Sequence, residues 1–236
     1  MAAVKFLKPI NLLDERPYRP DRLAVYDALC DIFVTVGREW LPPVTDYGAW
    51  RHPAYMDEQG YMVPYLSVKW YIEHAREARR RRVDGQALLA AFRDEPWRRE
   101  DALGDHYDVL LVDQPVFDPA EEEHFGLAAT PGCALVGVAA VISMHDIAAL
   151  DRVSYSLLKT LAMREMAHLF GAPAMRSEAL ELTPRLACTN PCLLGACTHV
   201  PEDLERLTDL RLAGPPFCDL CVADLRANLA SEEADG

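Results

Sequence analysis

Apolar and polar positions repeat with two different periods along this chain, and the changes of period mark its elements. From Asp21 onward, Leu23, Ala24, Tyr26, Leu29, Ile32 and Phe33 recur at the three- and four-residue spacing of an amphipathic helix. Asp21 can cap its start, and Pro42-Pro43 stand beyond its end. A second helical stretch is expected over residues 68–93, with the arginine run 79–82 as a solvated face. The period then shortens. Tyr107–Val112, YDVLLV, and Ala134–Ser143, ALVGVAAVIS, are near-continuous apolar runs of the kind that fill strands buried on both faces. Residues 113–133 between them read as loop. Helical spacing returns in Ser154–Gly171, SYSLLKTLAMREMAHLFG, starting from Asp146 or Asp151 and stopped by Gly171 and Pro173. A short helix, Cys221–Leu229, closes the pattern.

This order predicts an α+β fold: a small mixed sheet, a long helix packed on it and a cysteine-bearing C-terminal segment. A boundary is expected near residue 100, with 1–100 as a helical and irregular N-terminal extension and 101–236 as the main domain. The extension holds the densest aromatic stretch, Trp40–Tyr71, with Tyr47, Trp50, Tyr55, Tyr61, Tyr65 and Trp70 around His52. Such a stretch either walls a ligand pocket or anchors an irregular segment by its rings, and the second reading is the more economical.

Composition narrows the function classes. Half of the 236 residues are apolar, enough for a substantial core, and the net charge is −13. That charge argues against nucleic acid as the main partner, because neutralising phosphates needs a basic surface. The 20 arginines against 4 lysines, with abundant alanine, fit a GC-rich bacterial genome. No secretory signal is visible, and the longest apolar run, Ala134–Ile142, is too short to span a bilayer. A cytoplasmic location with no membrane partner is therefore expected, where seven cysteines mean thiols or metal ligands rather than disulfides.

Two stretches carry candidate chemistry. In the helix Ser154–Gly171, Arg164 and His168 lie four apart on one face, with Glu165 beside them. In a zinc helix of form HExxH, two histidines at that spacing hold the metal and the glutamate polarises its water. Here the string is REMAHLFGAPA, with Arg164 in place of the first histidine. Arginine stays cationic and ligates no metal; it can neutralise Glu165 or hold a carboxylate of a ligand. Further on, Cys192-LLGA-Cys197 and Cys218-DL-Cys221 form a CxxxxC…CxxC set, suited to a closed tetrahedral zinc site. Cys188, four before Cys192, is either a competing ligand or a free thiol. Cys30 and Cys133 are isolated, are expected to be buried and have no assigned role.

Taken together, the helix string, the cysteine pairs and the preceding segments YDVLLVDQPVF, HFGLA and ALVGVAAVIS resemble the archaemetzincin family over roughly residues 83–229. The resemblance implies a metzincin-like α+β fold, one structural zinc per chain on Cys192, Cys197, Cys218 and Cys221, and a zinc-dependent peptidase ancestry. Glu165 matches the general base, His168 the second catalytic ligand and Gly171 the glycine turn. The third histidine normally stands directly before the first cysteine, where this chain has Pro191; the methionine two beyond the second cysteine is His199. With these departures the resemblance implies a zinc-binding protein without the usual catalytic zinc. Its cleft around Arg164, Glu165 and His168 would then take a small molecule or peptide, anionic where it meets Arg164, or a protein partner. Repurposed acid or base catalysis by Glu165 in a bacterial biosynthetic pathway is a variant of this reading. The alternative is an active metallohydrolase whose rearranged zinc site joins His168 to His199, Cys188 or a histidine of the aromatic stretch.

Overall fold

Five strands form the mixed sheet on which the chain is built. The computed structural model describes residues 8–16, 19–50, 67–77, 81–95, 106–126, 129–145, 147, 154–174, 180–181, 186–197 and 202–235. The sheet has the order β2-β1-β5-β8-β7. Its strands are β1 (Ile10–Asp14), β2 (Val44–Gly48), β5 (Tyr107–Val112), β7 (Gly132–Leu135) and β8 (Ala139–Ser143). β1 pairs in parallel with β2 and β5, and β5 with β8; β7 alone runs antiparallel, as the outer strand beside β8. Every residue of β1, β5 and β8 is buried. This is the burial that the continuous apolar runs predicted for a parallel sheet covered on both sides.

The two-residue period of the strands divides the core in two. Ile10, Leu12, Tyr107, Val109 and Leu111 face α1 (Arg19–Thr35) and α5 (Ser154–Leu169). There Phe170 meets Phe33 and Tyr107 edge-on, at centroid distances of 6.0 and 5.3 Å. Leu13, Leu110, Val112 and Val141 face the other way, against α2 (Val68–His74) and α3 (Gly85–Arg93). Tyr71 and Phe92 stack between those two helices at 4.5 Å.

Several expectations change on contact with the structure. The stretch 68–93 is two helices separated by β3 (Arg76–Glu77) and β4 (Arg82–Asp84). Arg82 is buried rather than solvated: its guanidinium donates to Glu77 at 2.7 Å and to both oxygens of Glu122 at 3.0 and 2.6 Å, over the ring of Phe117. The loop 113–133 holds β6 (Val116–Phe117) and α4 (Pro119–Phe125), capped by Asp118 and ended by Gly126 at φ +72°. The run 134–143 is the greater part of a hairpin, β7 and β8 joined through Gly137 at φ +75°.

β1, from the first hundred residues, lies inside the sheet between β2 and β5. Residues 51–66 of the aromatic stretch, with His52, and both expected starts of the long helix, Asp146 and Asp151, lie outside the described residues. At the C-terminal end β9 (Leu180–Glu181) pairs with β10 (Ala187–Cys188), and two helices follow, α6 (Glu202–Ala213) and α7 (Asp219–Asp235). α6 was not expected, and α7 is longer than Cys221–Leu229. No helix among the described residues is long and apolar enough to cross a membrane.

Candidate functional site

Three residues of α5 form the first candidate site, and all three are buried: Arg164 at 3% exposure, Glu165 at 0% and His168 at 8%. Neighbouring positions on a helix diverge by about 100°, so Arg164 and Glu165 meet only because the arginine side chain is long enough to turn back. Its Nη1 donates to Glu165 Oε1 at 2.6 Å. Arg164 Nε is also buried and makes no hydrogen bond among the described residues. Gly132 of β7 covers the glutamate. A Cβ there would stand 2.9 Å from Glu165 Cγ and 2.6 Å from the carbonyl oxygen of Val141, so only glycine lets strand and carboxylate approach this closely.

The end of the helix is pinned from two sides. Gly171 takes φ +82°, and Ala172 N–H reaches back to Ala167 O at 3.0 Å. The turn residue Gly137 donates to Leu169 O at 2.9 Å, and Asn228 of α7 donates to Phe170 O and Gly171 O at 3.1 and 2.9 Å. These bonds satisfy carbonyls that a helix end leaves without an internal partner.

The second candidate site is a group of four cysteines. The sulfurs of Cys188, Cys192, Cys218 and Cys221 all lie within 4.8 Å of one another. The expected set changes by one member: Cys188, carried by β10, takes the place given to Cys197. Cys192 follows in the next turn, Cys218 directly precedes α7, and Cys221 lies in its first turn. Zinc–sulfur bonds of about 2.3 Å in a tetrahedron put neighbouring sulfurs about 3.8 Å apart. Cys188 Sγ and Cys218 Sγ are separated by 3.7 Å, so this donor set fits zinc. Asn190 Nδ2 points at Cys218 Sγ from 3.5 Å.

The thiols already differ in acidity. A hydrogen bond from the Cys221 thiol, aided by the backbone N–H groups of Leu194 and Cys218, pulls Cys192 down to about 6. Burial pushes Cys188 up to about 12, and donating to Cys192 raises Cys221.

The residue directly before the first cysteine of the group is Ala187, not Pro191, and the residue two beyond the second is Leu194, not His199. Both are buried. His199 lies outside the described residues. The signal that could have found Cys188 was its CxxxC spacing to Cys192, which competes directly with CxxxxC.

With the geometry in hand, comparison with known proteins gives one clear result. No protein-family model and no curated protein sequence matches the chain. Among solved structures it is similar to the crystal structure of archaemetzincin from Methanopyrus kandleri, with a TM-score of 0.61 and 18% identity over 98% of this chain and 99% of that one. The fold is that of an archaemetzincin. The similarity runs through residues 1–82 as well, which were expected to lie largely outside it. The chain is also similar to a zinc-dependent peptidase from Methanocorpusculum labreanum (strain Z), with a TM-score of 0.48 and 13% identity over 92% of this chain and 99% of that one.

Within the archaemetzincin fold, then, the chain carries a cysteine group fit for zinc and a buried arginine–glutamate pair on its long helix. One resource of the alternative metallohydrolase reading, Cys188, belongs to the cysteine group and not to the helix.

Proposed function

We propose that this chain is a zinc-binding protein of archaemetzincin fold that has no catalytic zinc and uses the surroundings of Arg164, Glu165 and His168 to bind an anionic ligand or a protein partner. The observation that carries the reading is the buried ion pair from Arg164 Nη1 to Glu165 Oε1 at 2.6 Å. In the HExxH motif the first histidine occupies the position of Arg164. A guanidinium there ligates no metal and brings its own positive charge to the glutamate. Glu165, held by that charge, is not available to activate a metal-bound water. Arg164 keeps further donors, including Nε, for a ligand carboxylate. The cysteine group would hold zinc in a closed four-thiolate shell that supplies structure and leaves no open position for a substrate.

The test is His168→Ala in the full chain. Metal content per chain should be unchanged, and neither protein should cleave peptides. Loss of one zinc equivalent, or wild-type peptidase activity that His168→Ala abolishes, overturns the reading. Native mass spectrometry of the wild type should retain an acidic small molecule or a protein partner that Arg164→Lys releases, because lysine keeps the charge and loses the forked donors.

A further inference from the structure

On the opposite face of the sheet from α5, three metal-ligating side chains meet in the core. We propose that Glu95, His106 and Asp108 form a second divalent-metal site, separate from both the cysteine group and the long helix.

One ligand atom from each residue lies within 4.8 Å of the other two. His106 directly precedes β5 and Asp108 is its second residue, so the two-residue period of a strand turns both to one side. That side is the one where Leu110 and Val112 meet α2 and α3. Glu95 stands two residues beyond the end of α3. His106 Nε2 stands 3.3 Å from Asp108 Oδ2. A cation with bonds of about 2.1 Å sets neighbouring ligand atoms roughly 3.0–3.4 Å apart, according to whether its geometry is octahedral or tetrahedral.

All three ligand candidates are buried as well as close together. Glu95, His106 and Asp108 are exposed by 2%, 1% and 0%. A divalent cation matches the charge of two buried carboxylates with a neutral histidine as third ligand. One nitrogen and two oxygens suit zinc, manganese or ferrous iron rather than a thiolate-seeking ion. The Tyr71 hydroxyl donates to Glu95 Oε1, the outer hydrogen bond that orients a ligating carboxylate. Tyr71 is itself fixed by its stack on Phe92. Such an ion would tie the end of α3 to the start of β5.

The two metal sites differ in donor atoms, so cobalt tells them apart. In cobalt-substituted full chain, the thiolate group gives strong sulfur-to-metal charge-transfer absorption, and a nitrogen–oxygen site gives only weak visible bands. Wild type should carry one metal equivalent more than His106→Gln, with charge-transfer absorption equal in the two proteins. A second measurement needs no variant. Manganese(II), which thiolates hold poorly, should bind the wild type at one ion per chain by electron paramagnetic resonance and raise its melting temperature. Wild type that holds only the thiolate-bound ion and takes up no manganese overturns the proposal. Loss of the extra equivalent in His168→Ala, with His106→Gln keeping it, would overturn both this site and the reading of α5 given above.

Discussion

Two stretches of the chain resemble zinc motifs, and the chain treats them differently. At the cysteine group the full donor set is present, with sulfurs within 4.8 Å of one another. On α5 the glutamate and one histidine stay, while the first ligand position carries an arginine bonded to that glutamate. The difference follows from what each charge does for the fold. A buried glutamate needs a positive neighbour, and a guanidinium supplies one without a metal. The cysteines instead join β10, the turn after it and α7, and no single side chain can bridge four thiolates. On the proposed reading the helix needs no ion to stay folded, and the cysteine segment does.

The sharpest way to break this comparison is at the cysteines. Binding free energies for structural zinc in small domains are of order 10 kcal/mol or more at neutral pH. Cys188→Ser and Cys192→Ser should therefore release the zinc and collapse thermal stability, read by a colorimetric zinc assay and a circular-dichroism melt. Cys197→Ser should keep the zinc. The opposite result for Cys188 and Cys197 would restore the spacing-based ligand set. Acid should release the ion as well, since protons compete for every thiolate.

The next largest effect lies on the helix. Arg164→Ala leaves Glu165 buried without its charge partner, and removing one partner of a buried pair costs about 3–5 kcal/mol. Arg164→Met with Glu165→Gln removes both charges at nearly constant volume and should cost far less than the two single changes added. Urea denaturation of the four proteins gives the coupling directly. If the single arginine variant is as stable as wild type, the pair is not what replaces the metal.

Why these two regions were unequally legible in the sequence has a physical answer. α1, β5 and α5 were readable because each buries a regular stripe or a continuous apolar run, a property of its own residues. β1 was not, because INLLD becomes a central strand only through pairing with Tyr107–Leu111, about a hundred residues away. The break at 76–84 depends on Arg82 reaching Glu122, forty positions on. α6 buries only Leu204, Leu207 and Thr208, too thin a stripe to announce a helix. Arg164 was visible as an anomaly, but its partner could not be read, since adjacent helix positions do not ordinarily face each other. Cys188 lost to Cys197 because spacing ranks pairs along the chain, and the fold places them in space.

A smaller effect tests how closely the sheet presses on the pair. Gly132→Ala puts a methyl group 2.9 Å from Glu165 Cγ and 2.6 Å from a backbone oxygen that cannot swing away. Overpacking of this kind costs about 1–3 kcal/mol. Part of that cost should vanish in a Glu165→Ala background, where the side chain is gone, and the part due to Val141 O should remain. A full cost in both backgrounds would mean that β7 is set by β8 alone and not by the ion pair beneath it.

The smallest expected change asks whether the two regions are connected at all. α7 begins beside Cys218 and Cys221 and, two turns on, presents Asn228 to the end of α5. Asn228→Ala removes two hydrogen bonds to Phe170 O and Gly171 O, a loss of about 1–2 kcal/mol for neutral bonds at a helix end. Zinc content should not change, because no cysteine moves. The same substitution made in Cys192→Ser should cost nothing further, since α7 is then no longer held at its start and Asn228 no longer reaches its carbonyls. Equal costs in the two backgrounds would show α7 docking on α5 by its own apolar contacts, Leu225 and Leu229. In that case the cysteine group would organise only its immediate turn, and the helix with the arginine would keep its shape whether or not the thiolates hold their ion.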